Sequence, residues 1–189
     1  MRIIDAATRL FAEQGYQQTT ISEIAKLVGL AEGSIYDHFR GKEDLLLTIP
    51  DVWVTTAIDE LEVQLLGIEG AFNKLRKFLW WYIHYIQSAP MTAKVVFLFL
   101  KTNPNFMESV IYTNVRTFYS CLITIFEEGI ESGEMAEDLD PFVARSIVLG
   151  TIEHMVIRWL LKGMTYSLFD SLEQTYRSLR WGFQKLPEN

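Results

Sequence analysis

Between Thr19 and Leu46 the chain reads TTISEIAKLVGLAEGSIYDHFRGKEDLL. Gly29 and Gly41 break its helical periodicity into two short helices joined by a tight turn, followed by the start of a long third one. A helix-turn-helix needs a small residue where its helices cross, a glycine-like residue in the turn and a buried aliphatic in the second helix. Ala25, Gly29 and Ile35 supply these. The outward face of that second helix is Glu32, Gly33, Ser34, Tyr36, Asp37 and His38, small or hydrogen-bonding as a helix lying in the major groove of DNA requires.

The rest of the chain is also helical in pattern, with no alternating strand runs, internal repeat or low-complexity segment. Ile3, Ile4, Ala7, Leu10 and Phe11 form one apolar stripe, ended by Gly15. Thr20 stands three residues before Glu23, the capping-box spacing that opens a second helix. A third is expected from Glu32 to Phe39, with Ile35 and Phe39 inward. A fourth should run from Lys42 to Leu66, kinked or late-starting at Pro50. The fifth, Ala71 to Gln87, is rich in aromatics, and a sixth opens at Pro90. Asn103–Pro104 reads as the cap and first position of a seventh. Asp140–Pro141 repeats that signal for an eighth, and a ninth covers Asp170 to Lys185. The expectation is an all-α chain of about nine helices, with an N-terminal three-helix helix-turn-helix DNA-binding domain at 1–46 and a C-terminal helical ligand-binding and dimerisation domain at 47–189.

Charge limits how such a head would hold DNA. The chain has 189 residues and a net charge of −7. Residues 1–48 carry five Lys/Arg against seven Asp/Glu, so nonspecific coating of nucleic acid is disfavoured. Phosphate contacts must be few and well placed, with hydroxyls, backbone amides and helix ends sharing them. The single cysteine, Cys121, cannot close an internal disulfide, and no apolar run reaches the length of a membrane span. No secretory signal is visible, so a cytoplasmic protein is expected.

The motifs AATRLFAEQGYQQTTISEIAKLVGL and GSIYDHFRGKEDLL resemble the N-terminal domain of the TetR/AcrR family of bacterial transcriptional regulators over residues 3–46. SGEMAEDLDPFVAR is similar to the connection before the eighth helix in many members. The resemblance implies a homodimer, a DNA-binding head, a C-terminal domain that binds a small ligand, and a repressor released from a palindromic operator. It implies that Thr20 caps the second helix and touches a phosphate, and that Gly33 and Ser34 sit at the groove end of the recognition helix. Tyr36 and His38 would contact phosphates, and Lys42 would grip one from the start of the fourth helix. Other readings stay open: Tyr36 as a surface aromatic, His38 as a solvated residue, Lys42 as part of a charged helix start. Ala31 departs from the pattern, standing where a capping Ser or Thr is common, and so does the acidic Asp37.

Catalysis finds no support. The chain has no Gly-x-Ser-x-Gly, no phosphate loop and no His-Glu-x-x-His, and no cofactor, metal or enzymatic activity is expected. Cys121 reads as a small core residue, and the acidic stretch 127–140 as a solvated loop. A ligand site is better supported. Trp81, Tyr82, Tyr85, Phe97, Phe106, Tyr112, Phe118 and Tyr119 are candidate pocket-lining aromatics, with Arg116 a polar anchor, though such stripes also serve as core. The expected effector is an apolar or aromatic small molecule with one anchoring polar group. Acyl-coenzyme A is a variant suggested by Lys74, Arg76 and Lys77. Two stripes, Val148, Ile152, Met155 and Trp159 on the eighth helix and Leu172, Tyr176, Leu179 and Phe183 on the ninth, are candidates for a homodimer interface through the last two long helices. They would otherwise cover the protomer's own core. The function expected is a ligand-responsive transcriptional regulator, most simply a repressor. The alternative is a helical small-molecule-binding or interaction protein whose head no longer binds DNA.

Overall fold

The computed structural model describes residues 2–185. Among them are nine α-helices and no strands. They are α1 (Arg2–Gln14), α2 (Ile21–Val28), α3 (Glu32–Tyr36), α4 (Lys42–Leu65), α5 (Ala71–Ser88), α6 (Pro90–Val95), α7 (Val110–Glu131), α8 (Pro141–Leu161) and α9 (Leu172–Phe183). A π-helical turn, Val96–Leu100, continues α6, and a 3-10 turn, Leu168–Ser171, precedes α9. The backbone clusters into two compact units, Met1–Thr56 with Ala89–Val115 and Ala57–Ser88 with Arg116–Asn189. The chain crosses from one to the other three times, inside α4, between α5 and α6, and inside α7.

In the first unit α1 packs on α2 and α6, and α2 on α3. Ala6, Ala7, Phe11, Ile21, Ile24, Ala25 and Ile35 form the buried centre. The capping box is complete. Thr20 Oγ1 accepts from the Glu23 amide at 3.2 Å, and the Thr20 amide donates to Glu23 Oε2 at 2.8 Å. Gly29 ends α2 at φ 72°, in the left-handed region where glycine carries no Cβ penalty. Replacing Thr20 with Ala removes both the Oγ1 acceptor and the brace on Glu23. It should cost about 1 kcal/mol, read by chemical denaturation.

Two boundaries differ from the sequence reading. The α-helical part of α3 stops at Tyr36, so Phe39 lies beyond it and is half-buried. α4 keeps close to the expected span and holds Pro50 inside it, although proline has no N–H to return to the Leu46 carbonyl. α7 starts at Val110, not at Asn103–Pro104. Asn103 instead turns on itself, its Oδ1 accepting from the Asn105 amide at 2.8 Å, an Asx turn that competes with helix. The Asn103 and Asn105 side-chain amides then donate to Glu43 Oε1 at 3.0 and 2.9 Å. These two bonds hold the Glu43 carboxyl below its usual range. The stability they give is present above the ordinary carboxylate pKa and lost as pH falls through the lowered one. Nearer the middle of α4, Asp51 Oδ1 accepts from Asn114 at 2.8 Å.

In the second unit α5 buries a broad face, through Phe72, Leu75, Phe78, Leu79, Trp81, Tyr82, Ile83 and Ile86, and leaves one exposed stripe, Asn73, Arg76, Trp80 and His84. That explains its aromatic density. The stripes assigned to a dimer face are corrected here. Val148, Ile152 and Trp159 of α8, and Leu172, Tyr176, Leu179 and Phe183 of α9, are buried within the protomer, and Met155 is half-buried. The outward large apolar residues are Phe142, Val143, Ile147 and Leu161 on α8, with Trp181 on α9 exposed by 73%. The 127–140 stretch also does more than meet solvent. Glu134 accepts from the Ala71 and Phe72 amides at 3.0 and 3.3 Å, capping α5 from a distant segment. Asp140 caps α8 as expected, accepting from Phe142 and Val143, with Pro141 in the first turn.

Candidate DNA-reading head and effector cavity

The head places the expected contact residues on one short segment. Gly33, Asp37 and His38 are exposed, Ser34 is partly so, and Tyr36 is 53% exposed although Ile35 beside it is fully buried. Ile35 therefore anchors α3 while Tyr36 faces outward. Ala31 forms the N-cap of α3 with no side-chain hydrogen bond, as its methyl requires. Thr20 is exposed at the start of α2 with its hydroxyl held in the capping box. Lys42 is oriented rather than loose. Its Nζ donates to the Gln17 carbonyl at 3.2 Å and lies 4.6 Å from the centre of the Tyr16 ring. An ammonium has three donors, so two remain for an anion.

The second unit contains an apolar cavity of about 610 Å³. The C-terminal half of α4 supplies Ile58, Leu61 and Leu65. The turn after it adds Ile68, and α7 adds Phe118, Cys121 and Ile125. Burial pushes the Cys121 thiol up to about 12. It therefore stays protonated and acts as a small apolar wall, not a nucleophile. Thr117, Ser120 and Thr124 bring hydroxyls to the lining, and Lys74 of α5 pairs with Glu128 beside them. Glu62 adds a second carboxylate to the lining, and the volume falls within the roughly 300–1,000 Å³ usual for small-ligand sites.

Of the ligand-site candidates named from sequence, five come together, and one of them, Phe118, lines the cavity. Trp81 stacks on Tyr85 at 4.9 Å between ring centres, and the Tyr82 and Tyr119 hydroxyls meet at 2.9 Å. Phe118 touches Trp81, Tyr82 and Tyr119. Because Phe118 also lines the cavity, this cluster stands behind its wall. Burial, reinforced by Tyr119, raises the Tyr82 hydroxyl pKa well above that of free tyrosine, so the pair is a neutral hydrogen bond. Phe97 and Tyr112 belong to the first unit. Phe97 is buried beneath Lys101, and Tyr112 meets Phe106 edge-on. Arg116 is exposed on α7. The sequence reading missed Ile58, Leu61 and Leu65. Their spacing of three and four along α4 was a visible signal, but the aromatics drew attention away from it.

The sequence profile of bacterial regulatory proteins of the tetR family matches residues 3–49, and that of the YsiA-like protein C-terminal region matches 53–182. The chain belongs to the TetR family of bacterial regulatory proteins. It is 33% identical over 168 residues to the fatty acid metabolism regulator protein of Bacillus subtilis, covering 89% of this chain and 87% of that one. It superposes with a TM-score of 0.88 on the transcriptional regulator FadR from Bacillus subtilis in complex with stearoyl-CoA, at 32% identity, covering 96% of this chain and 98% of that one. The fatty acid degradation regulator FadR from Bacillus halodurans gives the same TM-score at 28% identity, covering 96% and 94%. This TetR-family chain is a ligand-responsive, DNA-binding transcriptional regulator and not an enzyme. Among its described residues, no helix is long and apolar enough to cross a membrane.

Proposed function

We propose that this regulator is a dimeric repressor that reads a palindromic operator and is released from it by a long-chain acyl thioester of coenzyme A. The carrying observation is the apolar cavity between α4, α5 and α7, in a chain similar to a FadR that was crystallised with stearoyl-CoA. The acyl chain occupies the cavity beside Ile58, Leu61 and Ile125. Residues 1–46 form the reading head and 47–189 the ligand-binding and dimerisation part. Two heads about one helical turn of DNA apart engage the half-sites. Because α4 carries both Lys42 of the head and Leu65 of the cavity, a ligand that favours one setting of this helix alters head spacing. The requirement is a difference in ligand affinity between the two states. The exposed apolar residues Phe142, Val143 and Ile147 of α8 and Trp181 of α9 form the dimer face.

Thr20, Gly33, Ser34, Tyr36, His38 and Lys42 make the DNA contacts. Replacing Lys42 with Ala should weaken operator binding about tenfold and lower the salt slope by about one. Thermal stability should change little, because the hydrogen bond from Nζ to the Gln17 carbonyl is exposed to solvent. Fluorescence anisotropy over a salt series measures this. A large loss of stability with an unchanged slope would assign Lys42 a structural role.

Calorimetry with thioesters of different chain length tests the effector. Stearoyl-CoA should bind with a clearly negative heat-capacity change, the mark of buried apolar surface. Acetyl-CoA should bind far more weakly. Equal affinity for the two would remove the cavity from ligand recognition.

A further inference from the structure

Residues 1–48 carry seven side-chain carboxylates, and most have a local reason for their place. Glu13 pairs with Arg9 at 2.9 Å, and Glu23 closes the capping box. Glu43 accepts from Asn103 and Asn105, and Asp44 from the Arg40 amide at 3.0 Å. Asp5 and Glu32 stand in the first turns of α1 and α3, where the helix dipole favours an anion. Asp37 has no such support. It is the C-cap of α3, the end at which the dipole disfavours negative charge. Its carboxylate is exposed and has no hydrogen bond or ion pair among the described residues. A side chain that breaks the local rule without a partner in its own chain points to a role in function.

The geometry of α3 says what that role is. Ile35 is fully buried and fixes the roll of the helix. The Asp37 amide donates to the Gly33 carbonyl at 3.1 Å, so the two residues lie one turn apart and share a face with Ser34. A Cβ added at Gly33 would meet no atom within 4 Å. The short Asp37 side chain therefore stands beside the lowest part of that face, where base edges come nearest to the backbone. Phosphates on the groove rim repel a carboxylate. The major-groove floor offers it two kinds of amino donor, adenine N6 and cytosine N4. Adenine N6 is flanked by the N7 acceptor and suits an amide, which both donates and accepts. A carboxylate only accepts, and suits cytosine N4. We infer that Asp37 selects a C·G pair at one position of each operator half-site by accepting from the cytosine amino group. The inference rests on the operator reading above and adds to it a residue that determines specificity.

Selection from a random double-stranded DNA library, run in parallel with full-length wild type, Asp37→Asn and Asp37→Ala, reads the preference directly. Wild type should enrich a palindrome with cytosine fixed at one position of each half-site. Asp37→Asn should move that position alone to adenine, because an amide pairs with N6 and N7 together. Asp37→Ala should leave it without preference. In anisotropy titrations, changing that C·G pair to T·A in one half-site should cost wild type about tenfold in affinity and Asp37→Ala less than about twofold. The wild-type arm depends on altered DNA alone, and melting curves confirm that both variants are folded. An unchanged consensus for Asp37→Ala, with affinity raised equally for all sequences, makes the carboxylate a general repellent of phosphate. That result overturns the inference and leaves the operator reading intact, as does a wild-type palindrome with no fixed cytosine. Enrichment of no palindrome by wild type overturns both.

Discussion

An Ile58→Trp variant should remain on its operator when wild-type protein is released. The substitution places an indole in the cavity otherwise available to the acyl chain, where Ile58 stands opposite the α7 residues Cys121 and Ile125. Operator affinity without ligand should stay within about twofold of wild type, while the stearoyl-CoA concentration giving half-release should rise at least about tenfold, a loss of about 1.4 kcal/mol in ligand binding. Overpacking costs about 1–3 kcal/mol in a full core. Here the added volume enters existing space, and Ile58 is only half-buried. Anisotropy titration of labelled operator gives both numbers. A release curve matching wild type would place the acyl chain elsewhere.

The largest loss of stability is expected at Phe126. Its ring is fully buried and meets Phe183 of α9 edge-on, 5.4 Å between centres. It therefore ties α7 to the last helix. Phe126→Ala should cost about 3–5 kcal/mol, equivalent to a fall of roughly 6–20 °C in melting temperature for a chain of this size. Melting at fixed protein concentration checks it, since the proposed dimer would make the midpoint concentration-dependent. A loss below about 1 kcal/mol would show that the α7–α9 contact contributes little.

The head was legible because its determinants are local. The Thr20–Glu23 box, Gly29 in the left-handed region and Ile35 in the core follow from spacings of a few residues. The helix count and the Asp140–Pro141 start of α8 were legible for the same reason. The α7 start was not, because Asn103 and Asn105 are recruited by Glu43, sixty residues earlier in sequence. Nor does periodicity say which apolar face of a helix meets its own core. The stripes of α8 and α9 with the strongest pattern proved to be inward ones, and Phe142, Ile147 and Trp181 lie outside them. The cavity had a further obstacle. Its walls combine the aliphatics Ile58, Leu61, Leu65 and Ile125 with Phe118 and several polar residues, whereas Trp81, Tyr82, Tyr85 and Tyr119 pack on each other or on Phe118. Lys74, noted only for its charge, acquired its place through Glu128, fifty-four residues later.

The central claim joins two properties in one molecule, specific DNA binding and its reversal by a long-chain thioester. A labelled DNA fragment retained by the purified protein above bulk DNA at moderate salt, titrated with stearoyl-CoA and separately with acetyl-CoA, tests both together. Saturable release by stearoyl-CoA is expected at concentrations where acetyl-CoA leaves the complex intact. Retention unaffected by stearoyl-CoA, or release by both thioesters alike, would contradict it.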